Sequence, residues 1–83
     1  MTYLATFHTH FDAMNYLRFL KKKGIAGALK PVPRRVSSSC GTCAVFETSQ
    51  EIETADLTQE EVAGLYLVEG GRHTQIYAQQ DEA

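Results

Sequence analysis

Residues 9–24 carry the strongest local instruction in this chain. Thr9 is an N-cap residue with an acid, Asp12, at the third helical position. Ala13, Tyr16, Leu17 and Leu20 follow at the i, i+3, i+4, i+7 spacing of a buried stripe. Lys21-Lys22-Lys23 suits the negative C-terminal end of a helix, and Gly24 stops it. The segments on either side read as strands: Thr2–Phe7 is short and β-rich, and Ile25–Lys30 follows the helix, weakened by Gly27. Pro31 and Pro33 remove two backbone donors and begin a loop. Cys43-Ala44-Val45-Phe46 resumes as a third strand, apolar on both faces as in the interior of a sheet. At 83 residues, without repeats or a linker, the chain has room for one core, so residues 1–83 are read as a single domain of modest stability.

Residues 48–57 read as a connecting excursion. Thr58-Gln59-Glu60-Glu61 forms a capping box with Leu57 and Val62 as a hydrophobic staple. Val62, Leu65, Tyr66 and Glu69 share one side of the helix this predicts, and Gly70-Gly71 ends it. His73–Ala78 is then a fourth strand and residues 79–83 a polar tail. The competing reading pairs Leu65–Glu69 with Arg72–Ala78 as a hairpin across Gly70-Gly71, since Gly64 costs about 1 kcal/mol inside a helix. The order βαββαβ predicts an α+β domain of the ferredoxin-like split βαβ type, with a four-stranded antiparallel sheet and two helices on one face. By strand parity Tyr3, Phe7 and Tyr77 share a sheet face. If that face is open, it suits a homodimer or a partner.

Charge is divided along the chain: residues 1–39 hold seven of the eight Lys/Arg and one acid, residues 40–83 one Arg and nine acids. The plain reading is internal attraction between the two halves rather than a polyanion-binding surface. A net charge of −2 and the lack of a basic–aromatic RNA-binding strand make nucleic acid an unfavoured partner. No apolar run approaches the ~18 residues of a membrane span, and the first residues lack an export signal, so the expected location is the cytoplasm. Two cysteines are too few for a disulfide framework and would stay as thiols there.

In the predicted topology the reactive side chains collect at one sheet edge. His8 and His10 stand at the β–α turn. Arg34, Arg35, Ser37, Ser38, Ser39, Cys40 and Cys43 lie in or beside a loop spanning 31–42, and His73 begins the last strand. A thiolate near Arg or a helix N-terminus is stabilised as the nucleophilic anion, which favours Cys40. Cys40-Gly41-Thr42-Cys43 precedes a strand, unlike the helix-start dithiol of thioredoxins. Fully extended, its ends lie ~10 Å apart, beyond the ~7 Å a disulfide tolerates, so only a turn at Gly41 joins them. Cys43 is thus either a second reactive thiol or a small buried hydrophobe. Arg34 and Arg35, with Ser38, Ser39 and the Gly41 N–H, are suited to holding an anion or a persulfide. His8 and His10 are accessory candidates. No cofactor is expected; the alternative is zinc held by the two Cys and two His.

Lys30-Pro31-Val32-Pro33-Arg34-Arg35-Val36-Ser37-Ser38-Ser39-Cys40-Gly41, with Gly24-Ile25 before it and Val45-Phe46 after it, resembles a family of small bacterial domains described as selenium/sulfur-carrier-like. Thr6-Phe7-His8-Thr9 with Asp12-Ala13 resembles the family's opening, and Gly71 through Ile76-Tyr77 its closing strand. The Pro-Arg…Ser-Ser-Cys-Gly stretch is the specific part. The resemblance implies a ferredoxin-like domain in which Cys40 carries sulfur or selenium as a persulfide or selenosulfide, served by donor and acceptor proteins. Cys43 departs from the pattern, where an apolar strand residue is expected, and so does the added stretch at Thr48–Leu57. The resulting expectation is a cytoplasmic carrier rather than a turnover enzyme. The alternatives are a non-catalytic interaction module and a small zinc-binding domain.

Overall fold

A computed structural model describes residues 1–36, 41–48 and 54–79. The predicted helix forms as α1, His10–Lys22, and both of its ends are set by sequence. Thr9 is extended and its Oγ1 accepts from the Asp12 N–H at 3.1 Å. At the other end Gly24 adopts φ 76°; its N–H donates to Lys21 O and the Ile25 N–H donates to Leu20 O, the paired bonds of a Schellman stop. Ala13, Tyr16 and Leu20 are buried, and Leu17 is half-buried beside them.

The strands are β1 (Thr2–Phe7), β2 (Gly27–Pro31), β3 (Thr42–Glu47), β4 (Val62–Glu69) and β5 (Arg72–Ala78), with a one-turn helix α2 at Thr54–Leu57. They form one sheet in the order β2-β3-β1-β4-β5, every neighbouring pair antiparallel. Because β1 and β2 both run against β3, they are parallel with β3 between them. By the same argument β3 and β4 are parallel with β1 between them. The molecule is therefore two interlocked split βαβ units, the second with its helix reduced to α2, and β5 added at the edge. Among the described residues no helix is long and apolar enough to cross a membrane.

Three expectations need correction. The predicted helix over 58–69 is strand β4, and the hairpin reading is the one that holds. Gly70 and Gly71 have φ 53° and 83°, the two positive values of a tight two-residue hairpin turn, so residues 62–69 are held for pairing with β5. The helix pattern misleads because β4 is covered on both faces: Leu65 packs toward α1, while Tyr66 and Val68 pack on the opposite face. A strand with two apolar faces shows no alternation to set against a helical spacing. The sheet accordingly has five strands rather than four, with one full helix. The tail also begins later than expected, since the Gln79 N–H donates to Ala63 O at 2.8 Å and extends the pairing of the hairpin.

The third correction concerns the aromatic face. Tyr3, Phe7 and Tyr77 do share a face, but it is the one that α1 covers. Tyr3 and Phe7 lie in the main core, with Tyr77 packed against it. Tyr3 stacks on Phe46, its direct partner across β1–β3, with ring centroids 5.4 Å apart, and Phe7 tilts against Tyr16. Tyr16 also donates its hydroxyl to Leu57 O at 2.7 Å, tying α2 to α1. Parity relates residues on strands without saying which face a helix will take. The face expected to offer a homodimer or partner surface is therefore the one that packs against α1.

Candidate functional site

The pairing registers separate the sheet into two ends. One end gathers the close of β1 and β2, the start of β3 and β4, and the N-terminus of α1. His8 and His10 stand here, both exposed, with His8 Nε2 2.8 Å from Gln79 Oε1. The neck of the β2–β3 loop is here too: the Val32 N–H donates to Gly41 O at 3.1 Å, and Gly41 takes φ 71° as the chain turns into β3. Ser37, Ser38, Ser39 and Cys40 lie outside the described residues.

Cys43, two residues after Gly41, is fully buried. It faces the sheet surface away from α1, where it clusters with Leu4 and Val36, and its Sγ lies 3.7 Å from Pro31 O. Burial pushes its thiol pKa up, and Lys30, its partner across β2–β3, pulls it partly back down. A neutral, enclosed thiol is the form of a packing residue, since the thiolate is the nucleophile. Among the described residues no three His, Cys, Asp or Glu side chains come together as metal ligands, so His8, His10 and Cys43 form no such group.

The loop after β2 does not stay at this end. Val36 is buried against Leu4 and Cys43, and its N–H closes a turn onto Pro33 O at 3.0 Å, so Arg34 and Arg35 occupy the exposed tip of that turn. Docking Val36 carries the loop across the second sheet face. There Arg35 joins Gly70, Gly71, Arg72 and His73 in lining an open cleft of about 360 Å³. These hairpin residues are at the end of the sheet opposite His8, because His73 pairs with Val68, and Val68 with Thr2. The single edge expected to hold every reactive side chain is thus divided: His8, His10, Gly41 and Cys43 at one end, Arg35 and His73 at the other. Arg72 did not stand out in the sequence. The signal for it was there, as the lone Lys or Arg of residues 40–83, placed directly after two glycines.

No curated protein and no solved structure matches the chain. A family model described as "Putative Se/S carrier protein-like" matches residues 2–67, from the start of β1 into β4, and takes in α1 and the whole Pro-Arg…Ser-Ser-Cys-Gly loop. With most of its length covered in this way, the chain belongs to that Se/S carrier-like family.

Proposed function

We propose that the protein is a sulfur or selenium carrier whose chalcogen is held on Cys40. One observation supports this choice of residue beyond the family itself: of the two cysteines in the chain, Cys43 is fully enclosed in the sheet with its thiol pKa pushed up. Cys40 remains, in the Ser-Ser-Cys-Gly stretch, beyond a loop tip that carries Arg34 and Arg35. In the step proposed, the Cys40 thiolate attacks the outer sulfur of a donor persulfide. A new S–S bond forms on Cys40, the donor's S–S bond breaks, and the donor leaves as its thiolate, so no outside oxidant is needed. A donor selenopersulfide gives the selenosulfide by the same exchange. Arg34, with Ser38, Ser39 and the Gly41 N–H, favours the anionic forms, while Arg35 lines the cleft at the other end of the sheet. His8 and His10 are accessory groups at the same end of the sheet as the loop neck, and Cys43 belongs to the packing. The partners are then sulfur or selenium donor and acceptor proteins, and the protein acts by transfer rather than turnover.

The test is site-resolved thiol reactivity. In Cys43→Ala, alkylation of Cys40 should show a pKa below that of a free small thiol measured alongside it; in Cys40→Ser, Cys43 should react slowly until the protein is unfolded. Equal rates at the two sites in the native protein would remove the ground for assigning Cys40.

A further inference from the structure

The cleft at the β4–β5 hairpin lies at the end of the sheet opposite Gly41 and Cys43 and has no part in the carrier reading. Among the described residues it is lined by two arginines and a histidine around the exposed two-glycine turn, with no acidic residue. The basic residues come from distant parts of the sequence: Arg35 from the loop docked by Val36, Arg72 and His73 from the hairpin. A chain whose last 44 residues hold a single Arg brings that residue together with an Arg of the basic half.

A second observation is independent of the charge. His73 Nδ1 is buried and makes no hydrogen bond in the structure. Buried side-chain nitrogens are rarely left so, because an unmade bond costs the group's desolvation. In the tautomer that carries its proton on Nδ1, His73 needs an acceptor there, and arginine has only donors to offer, so neither guanidinium in the lining supplies it. What satisfies two guanidiniums and an imidazole N–H together is a group that is negatively charged and rich in acceptor oxygens. Gly70 and Gly71 leave open space where a Cβ would stand, so a small ligand can approach the turn's backbone closely.

We infer that Arg35, Arg72 and His73 form a binding site for a small tetrahedral oxyanion of the phosphate or thiosulfate class. Binding there also fastens the β2–β3 loop to the hairpin, because the ligand bridges Arg35 to Arg72 and His73.

The experiment is an amide and imidazole NMR titration of the full chain with inorganic phosphate, and separately with thiosulfate, at constant ionic strength set by chloride. Saturable shifts confined to Arg35, Gly70–His73 and the His73 ring are expected. Arg72→Gln and His73→Gln should each weaken binding about tenfold or more, as loss of a charge-assisted contact does. Arg35→Gln, on a different element, should do the same, so the site remains testable if a hairpin variant folds poorly. Saturation by thiosulfate alone would narrow the ligand to oxyanions that carry a sulfane sulfur. Two results overturn the inference: no saturable shift at about 20 mM of either anion, where even a millimolar site would be filled, or unsaturable shifts spread over all surface cations.

Discussion

Gly64 offers a perturbation whose sign depends on the architecture. It sits within β4, buried between β1 and β5 and opposite Thr6, and a Cβ built on it would come 2.9 Å from Thr6 Oγ1, 3.3 Å from Gln75 Nε2 and 3.3 Å from Tyr66 Cε1. Thr6 is itself buried and β-branched, and its Oγ1 lies 3.4 Å from Gly64 O, so it has little room to yield. Gly64→Ala therefore overpacks an interior strand, at a cost of about 1–3 kcal/mol. For a domain of this size each kcal/mol lowers Tm by roughly 4–8 °C. In a helix the same substitution would add about 1 kcal/mol of stability. Urea unfolding followed by far-UV circular dichroism, with a thermal scan, separates the two. A midpoint that rises or stays level would refute the placement of residues 62–69 as a doubly covered strand.

Val36→Ala removes two methyl groups from the contact with Leu4 and Cys43 and should cost about 1.5 kcal/mol. The loop tip should then be cut faster by trypsin after Arg34 and Arg35, and an unchanged cleavage rate would contradict the docking. A pH effect follows from Cys43. Its native pKa is raised above the ordinary 9.0, so its neutral form is favoured by folding. That contribution is complete below pH 9.0 and is lost as pH rises through the native value. Wild type should lose stability above pH 9.0 relative to Cys43→Ala in urea midpoints, and parallel pH curves would contradict the buried thiol.

What the sequence made legible was what local chemistry decides. Thr9, Asp12, the Ala13-Tyr16-Leu20 stripe and Gly24 define α1 within its own residues, and the structure forms it there. The strands β1 and β3 were legible for the same reason. Residues 62–69 were not, because pairing with β1 on one side and β5 on the other outweighs a helical spacing and a capping box at Thr58. The face taken by Tyr3 and Phe7 depends on where α1 docks, a tertiary fact. The course of the loop depends on one residue, Val36, finding Leu4 and Cys43 across the sheet. Nothing near Arg35 in sequence points to Arg72 or His73. For Cys43, the sequence leaves both readings open, because its face and its neighbours are set by tertiary packing.

The most direct test of the carrier account is intact mass after incubation with a small persulfide donor, with the adduct located by peptide mapping. The account predicts one added sulfur atom per chain, on Cys40, absent in Cys40→Ser and equally long-lived in wild type and Cys43→Ala, because a buried Cys43 does not attack the loaded sulfur. A wild-type protein that gains no sulfur under conditions where a free small thiol does, or one that gains it on Cys43, would contradict the account.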